Sequence, residues 1–120
     1  MEIFISFTFD ASHGLPNTPE EHKCHQLHGH TFRAEVHLTG KVDPHTGWVI
    51  DFADLKRICA PLIAQLDHGY LNNVEGLENP TSENIAMWLW RRLKPRIETL
   101  SKIVVQETAC SGAVYHGEDE

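Results

Sequence analysis

The sequence predicts a single α+β domain, and two patterns support that fold class. Segments near both ends alternate apolar and polar residues, which is typical of half-buried strands, whereas two central segments repeat apolar residues at helical spacing. A length of 120 residues, 41% of them hydrophobic and 22% charged, is ordinary for one globular domain. We therefore predict one domain over residues 1–120 with the order ββααββ, in which two hairpins form a four-stranded antiparallel sheet with two helices on one face.

Two strands are predicted at the start of the chain. In the first, alternate apolar residues share one face: Ile3, Ile5, Phe7 and Phe9. A loop rich in turn-forming residues follows, from Gly14 to about Gln26. The second strand runs from His28 to Thr39; after two histidines its even-numbered positions are apolar, and its odd-numbered positions are polar. This alternation predicts an antiparallel strand with one buried face.

Two helices are predicted in the middle of the chain. Asp51 is a suitable N-cap for the first helix, whose apolar residues form one stripe. Pro61 lies inside that stripe, so we expect it to kink or split the helix. The second helix begins with Thr81 or Ser82 as its cap, and Pro95 should disturb its last turns.

Two short strands, over residues 102–108 and 112–116, are predicted around a tight turn near the end of the chain. A four-stranded sheet leaves two edges, which natural proteins cover, blunt or pair. Pairing with other copies into a closed barrel would satisfy both edges. We therefore expect the protein to be an oligomer.

Charge and cysteine content argue against several classes of protein. The formal net charge of −7 gives no electrostatic reason to bind nucleic acid or an anionic membrane. No apolar run approaches the length of a membrane span, and the first residues lack the basic segment of a signal peptide. Cys24, Cys59 and Cys110 are odd in number and widely spaced, which favours reduced thiols in a cytoplasmic protein.

Nine histidines are unusual in a chain of this length, and three of them predict a metal site. His28 and His30 share the apolar face of their strand, where two unpaired imidazoles would be costly and a shared cation removes that cost. His13 shares the odd-numbered positions of the apolar residues in the first strand, so it is the third candidate ligand. Three imidazoles with an open position are typical of catalytic zinc. Three other histidines are predicted to face solvent: His37, His45 and His116.

Three further features could take part in a reaction, and the first two have alternative interpretations. Cys24 is a fourth zinc ligand, a thiol activated by the cation and by Lys23, or a loop residue without a role. Glu107 falls on an otherwise apolar strand face, so it either meets a ligand with N–H donors or lies past the buried segment. His68 follows Asp67, and a neighbouring carboxylate can orient a histidine for proton transfer.

Five motifs in order make the whole chain resemble a known enzyme family. They are Phe9-Asp10-Ala11-Ser12-His13, Cys24-x-x-x-His28-Gly29-His30, Leu66-Asp67-His68 with Leu71-Asn72, Pro80-Thr81-Ser82-Glu83-Asn84, and Glu107-Thr108. The sequence resembles the 6-pyruvoyl-tetrahydropterin synthase family, and within it the bacterial branch of 6-carboxy-5,6,7,8-tetrahydropterin synthases. The short spacing between Cys24 and His28 is similar to that branch.

The resemblance implies a fold, an assembly and a metal. The fold is the tunnelling fold (T-fold), in which two hairpins surround two helices. The assembly is a homohexamer, a dimer of trimers built through closed barrels, which agrees with the argument from the sheet edges. The implied cofactor is zinc, and its ligands are His13, His28 and His30.

The resemblance also implies roles for the other motif residues. Cys24 is the base that abstracts a proton, and His68 with Asp67 forms a proton relay. Glu107 anchors the pterin ring by accepting its N–H groups and joins the relay. Four more residues line the pterin pocket, some of them across a subunit boundary: Thr81, Ser82, Glu83 and Thr108. For Thr81 and Ser82, helix capping is an alternative that can coexist with this role.

The implied activity is a zinc-dependent carbon–carbon lyase that converts 7,8-dihydroneopterin triphosphate into 6-carboxy-5,6,7,8-tetrahydropterin, acetaldehyde and triphosphate for 7-deazaguanine and queuosine biosynthesis. One alternative is a pyruvoyl-type synthase or a sepiapterin-cleaving relative. Another is a non-catalytic zinc-binding protein with Cys24 as a fourth ligand. The motifs assign no triphosphate contacts, although Lys23 is the nearest basic residue, and His25 either tunes Cys24 or is merely exposed.

Overall fold

The computed structural model describes residues 1–120 and confirms the α+β class with two helices. The elements in chain order are β1 (Glu2–His13), β2 (His28–Thr39), α1 (Phe52–Leu66), β3 (Gly69–Tyr70), α2 (Ser82–Leu93), β4 (Leu100–Thr108) and β5 (Ser111–Tyr115). Two short 3₁₀ helices lie in loops, at Lys23–His25 and Leu71–Asn73. Neither α1 nor α2 has the length and apolar character needed to cross a bilayer.

The sheet is mixed and has five strands in the order β3–β1–β2–β4–β5, so the prediction of four antiparallel strands is wrong. The additional strand β3 pairs parallel with Ala11 and Ser12 of β1. The turn before β3 is tied to β1, because the His68 N–H donates to the carbonyl of Asp10 at 2.6 Å. A two-residue strand is too short to show an alternating pattern, which is why the sequence did not indicate it.

One face of the sheet carries the core, as the alternating patterns of β1 and β2 predict. These strands pair along their full length, from Glu2 opposite Thr39 to His13 opposite His28. Phe9 and Phe32 stack on the core face with their ring centroids 5.0 Å apart. Both helices pack on this face and bury apolar residues in the same core, among them Leu55, Cys59, Leu66, Ile85, Leu89 and Leu93.

Helix α1 begins as predicted but is not split by its proline. The Asp51 carboxylate accepts the Ala53 N–H at 2.9 Å and caps the helix. The helix then continues through Pro61 to Leu66. Pro61 is exposed, so water can reach the carbonyl that loses its helical partner, while the buried stripe holds both halves of the helix against the sheet.

Helix α2 follows the predicted boundaries. Thr81 is its N-cap, because the Thr81 hydroxyl accepts the Asn84 N–H at 3.1 Å. The helix ends at Leu93, before Pro95. The start of α2 therefore depends on Thr81, which the family resemblance also assigns to the pterin pocket.

The prediction that His37 faces solvent is wrong, although His45 and His116 are exposed. His37 lies on the sheet face opposite the helices, where its ring nitrogens are 2.9 Å from a Glu2 oxygen and 2.8 Å from a Glu35 oxygen. Phe4 stacks on its ring. A polar position on a strand predicts exposure to solvent, but neighbouring long side chains on the same face cover this ring.

Replacing the core aromatic Phe32 tests the assignment of the two sheet faces. Phe32→Ala should lower the free energy of unfolding by about 3–5 kcal/mol, because a fully buried ring is replaced by a cavity. Phe4→Ala is the matched control on the other face, where Phe4 is 51% exposed, and it should cost less than about 1.5 kcal/mol. Urea denaturation at one fixed protein concentration measures both. Equal losses would contradict the assignment.

Candidate functional site

Strands β1 and β2 bring three imidazole rings together at one end of the core face. His13 lies opposite His28 in the strand register, and His30 follows on the same face of β2. The three ring centroids are 4.5, 4.9 and 5.2 Å apart. One nitrogen from each ring lies within 4.8 Å of the other two, so the three side chains could hold one metal ion.

Backbone carbonyls orient two of these rings. His13 donates from Nδ1 to the carbonyl of Pro80 at 2.8 Å, and His28 donates from Nδ1 to the carbonyl of Gln26 at 2.7 Å. In a neutral imidazole this leaves Nε2 as an acceptor. Nε2 of His13 and Nε2 of His30 are both buried without a hydrogen-bond partner. Two buried ring nitrogens without a partner are costly, and a cation bound through their lone pairs would satisfy both.

Burial favours the neutral, metal-binding form of His13. Removal from water lowers the pKa of His13, and the neighbouring rings of His28 and His30 lower it further. The hydrogen bond to Pro80 and the charge of Glu107 act in the opposite direction but do not reverse the shift. A neutral imidazole is the form that binds a transition metal.

Cys24 lies beside the histidines without joining their cluster, which consists of His13, His28 and His30 alone. It sits in the 3₁₀ helix Lys23–His25, where its N–H donates to Nδ1 of His22 at 3.0 Å. A pocket of about 400 Å³ is lined by Lys23, Cys24, His28, Gly29, His30, Glu107 and Thr108. The Cys24 thiol therefore adjoins the space in front of the histidines.

Glu107 lies between this pocket and a second one. Its Oε1 is 3.6 Å from Nε2 of His13 and 3.9 Å from Nε2 of His30, and its side chain is 28% exposed. The second pocket, of about 490 Å³, is also lined by Leu15, Thr81, Ser82, Glu83, Ser111 and Ala113. A carboxylate in this position could accept N–H groups from a ligand in either pocket.

Several other residues that line these pockets also stabilise the local structure. Ser82 is buried at the first turn of α2, and the Thr81 hydroxyl already caps that helix. The Thr108 hydroxyl is 2.9 Å from the hydroxyl of Ser111 and accepts the Cys110 N–H at 3.2 Å. Thr108 therefore shapes the turn between β4 and β5 beside Glu107.

Asp67 and His68 form a pair away from the pocket that contains Cys24. Nδ1 of His68 is 2.9 Å from Oδ2 of Asp67, and the His68 side chain is 79% exposed. His68 lines a third pocket, of about 650 Å³, whose other side chains include Asp10, Ser12 and Thr31. These three belong to the face of β1 and β2 that lies opposite the face carrying His13.

The charges of the pair support each other. The hydrogen bond to Asp67 raises the pKa of His68, and the negative charge of Asp67 raises it further. The hydrogen bonds from the Asp10 N–H and from His68 lower the pKa of Asp67. An imidazolium–carboxylate pair is therefore favoured at this position.

Several contributors were missed by the sequence reasoning. The Asn72 side chain accepts the Gly14 N–H at 3.0 Å and donates to the Gly14 carbonyl at 2.7 Å, which holds the loop after β1. The carbonyls of Pro80 and Gln26 orient two histidines, yet a backbone carbonyl has no sequence signal. Asn72 and Pro80 were quoted as motif residues without a role.

The structure also defines the surroundings of His25, Cys59 and Cys110. His25 donates from Nδ1 to the carbonyl of Thr18 at 3.0 Å, so its ring is fixed to the loop. Cys59 is buried in the core, and this burial raises the pKa of its thiol to about 11. Cys110 is exposed in the last turn, and all three cysteines are free thiols.

Comparison with known proteins connects this geometry to named relatives. The sequence is 42% identical to 6-carboxy-5,6,7,8-tetrahydropterin synthase of Synechocystis over 119 aligned residues, covering 94% of this chain and 91% of the relative. It is 41% identical to the putative 6-carboxy-5,6,7,8-tetrahydropterin synthase of Archaeoglobus fulgidus, with coverage of 89% and 88%.

The fold and the family model agree with these relatives. The structure of 6-pyruvoyl tetrahydropterin synthase from Caenorhabditis elegans superposes with a TM-score of 0.90 at 30% identity, covering 98% of this chain and 96% of that chain. The family model described as 6-pyruvoyl tetrahydropterin synthase matches residues 2–118. A match over almost the whole chain, together with these relatives, shows that the protein belongs to the 6-pyruvoyl tetrahydropterin synthase family.

Proposed function

We propose that this protein is a zinc-dependent 6-carboxy-5,6,7,8-tetrahydropterin synthase. It converts 7,8-dihydroneopterin triphosphate and water into 6-carboxy-5,6,7,8-tetrahydropterin, acetaldehyde and triphosphate. The ring is reduced while the side chain is oxidised and cleaved, so no separate redox cofactor is required. This product would serve 7-deazaguanine and queuosine biosynthesis, and the free thiols favour a cytoplasmic location.

The observation that carries the proposal is the cluster of His13, His28 and His30 beside Cys24 and Glu107. Two buried Nε2 atoms of the cluster lack a partner, and no carboxylate or thiol is among its three ligand atoms. Three imidazoles with an open position are the ligand set of catalytic zinc. The 42% identity to the Synechocystis synthase supports the carboxy-tetrahydropterin branch.

The residues around the cluster divide the work of the reaction. Zinc at these imidazoles would supply Lewis-acid chemistry that makes protons of the substrate side chain more acidic. Glu107 accepts the N–H groups of the pterin ring and sets the direction in which the side chain extends. The pterin ring lies along the second pocket near Thr81, Ser82, Glu83 and Thr108. Cys24 abstracts a proton as the base, because its thiol adjoins the space in front of the histidines.

His68 returns a proton to the substrate, and we infer that it does so across a subunit boundary. Its pocket includes Asp10, Ser12 and Thr31 of the sheet face opposite the histidine cluster, and it does not include Cys24. On its outer edge β1 has only the short pairing with β3, so most of that edge is free, and β5 has a free edge as well. Pairing of these edges between copies closes the sheet into a barrel and favours a homohexamer, a dimer of trimers.

Product analysis tests the proposed reaction. Purified protein incubated with 7,8-dihydroneopterin triphosphate should release acetaldehyde and 6-carboxy-5,6,7,8-tetrahydropterin in equal amounts, measured by chromatography and mass spectrometry. A chelator should abolish turnover, and added zinc should restore it. Formation of 6-pyruvoyl-tetrahydropterin without acetaldehyde would instead support the pyruvoyl-type alternative, and cleavage confined to sepiapterin would support the other one.

Two substitutions separate an open zinc site from a closed one. Cys24→Ala should keep its zinc and lose turnover by at least about 100-fold, because a general base contributes about 10²–10⁴-fold. His28→Ala should lose both zinc and turnover, since it removes a ligand. Metal analysis by mass spectrometry and the product assay measure both effects, with Cys110→Ala as the matched control. Loss of zinc from Cys24→Ala in a protein that consumes no pterin would support the non-catalytic zinc-binding alternative.

Replacing the Glu107 carboxylate tests the anchor role. Glu107→Gln should weaken pterin binding by about 10- to 100-fold, because a hydrogen bond to a charged group is worth about 1.5–3 kcal/mol. Neopterin binding can be followed by fluorescence, with metal content measured in parallel. Glu20→Gln, at an exposed carboxylate in the first loop, is the matched control. An unchanged affinity would rule out the anchor role.

A further inference from the structure

Asp10 is a second carboxylate beside His68, and the proton relay described above gives it no role. One carboxylate oxygen of Asp10, one of Asp67 and one ring nitrogen of His68 lie within 4.8 Å of one another. Asp10 forms no ion pair with a lysine or arginine, whereas Asp67 lies 2.9 Å from His68. Two carboxylates so close together repel each other unless a cation lies beside them. The His68 imidazolium is the nearest such cation.

The Asp10 carboxylate is fixed in place from the neighbouring strand. Asp10 and Thr31 are opposite each other in the pairing of β1 with β2, and the Thr31 hydroxyl donates to Oδ1 of Asp10 at 2.5 Å. This hydrogen bond limits the rotation of the Asp10 carboxylate. Asp10 and Thr31 line the same pocket as His68.

The backbone of Asp10 also holds the segment that carries His68. The Asp10 N–H donates to Oδ1 of Asp67 at 3.0 Å, and the Asp10 carbonyl accepts the His68 N–H at 2.6 Å. His68 has a φ of 57°, and it is the only residue other than glycine with a positive φ. Few side-chain-bearing residues adopt this conformation, so it requires support from its surroundings.

We propose that Asp10, held by Thr31, is a positioning residue that keeps the His68 imidazole protonated and correctly oriented as the proton donor. This inference rests on the proposed function, because it concerns the same relay. The titratable groups around the ring are Asp67, which bonds it directly, and Asp10, His30 and Tyr70, which line its pocket. Of these, Asp10 and Asp67 are the anions adjacent to the ring, and the charge of Asp10 acts with that of Asp67 to raise the pKa of His68.

Under this proposal, Cys24 and His68 transfer protons in opposite directions. Cys24 takes a proton from the substrate side chain, and His68, kept cationic by two carboxylates, delivers one. Removal of the Asp10 charge should therefore shift the protonation equilibrium of His68 and reduce kcat while leaving the affinity for the pterin ring unchanged. Substrate affinity depends on Glu107 in another pocket.

The test compares Asp10→Asn and Thr31→Val with the control Asp54→Asn, which removes one charge from an exposed position on α1. The His68 ring is titrated by NMR in substrate-free protein with labelled histidine, and a His68→Gln spectrum identifies its signal. Asp10→Asn should lower the His68 pKa, and Thr31→Val should lower it less. In the kinetic assay, Asp10→Asn should reduce kcat by about tenfold or more with little change in KM, in the range seen when supporting partners of a site are removed.

The pH dependence of kcat tests the direction of the expected pKa shift. Because His68 must be protonated to donate, the alkaline limb of kcat should move to lower pH in Asp10→Asn and stay in place in Asp54→Asn. The same His68 titration in Asp10→Asn as in Asp54→Asn would overturn the proposal, and so would an unchanged alkaline limb. The NMR titration needs no substrate, so it reports on Asp10 even if the wild-type protein fails to turn over the proposed pterin.

Discussion

The pairing of β1 with β2 is the interaction on which the rest of the site depends. The register places His13 opposite His28 and Asp10 opposite Thr31. Because side chains alternate between faces, a slip of one residue would move the histidines to the polar face and Asp10 into the core. Phe9 stacked on Phe32 resists that slip, since burial of both rings fixes which face meets the helices. The same apolar contacts that stabilise the fold thus align the imidazole nitrogens of the three clustered histidines.

The two faces of this hairpin carry different chemistry. The core face presents three clustered imidazoles and ends at Glu107, which lines two pockets. The opposite face presents Asp10 and Thr31 next to His68. A single copy therefore separates its proposed base, Cys24, from its proposed acid. In the proposed reaction the two groups would meet across a subunit boundary, and the same assembly would pair the free sheet edges.

Much of the site could be predicted because strand alternation is a strong local signal. The parity of His13, His28, His30 and Glu107 placed them on one face, and that face holds all four close together. The strand β3, the environment of His37 and the continuity of α1 through Pro61 could not be predicted. Each depends on contacts between distant segments: a turn tied to Asp10, a cover of neighbouring side chains, and a helix stripe held by the sheet.

The opposite behaviour of two histidines shows why residue type alone does not assign a role. Burial lowers the pKa of His13, which favours the neutral ring. Because Nδ1 donates to the Pro80 carbonyl, the lone pair of the neutral ring is on Nε2. His68 is exposed to water and bonded to the Asp67 carboxylate, so its pKa is raised and the protonated ring is favoured. The first environment suits a metal ligand and the second suits a proton donor, as the proposed function requires. The fold creates this difference by placing the distant Pro80 carbonyl against His13, whereas His68 meets the carboxylate of its own sequence neighbour, Asp67.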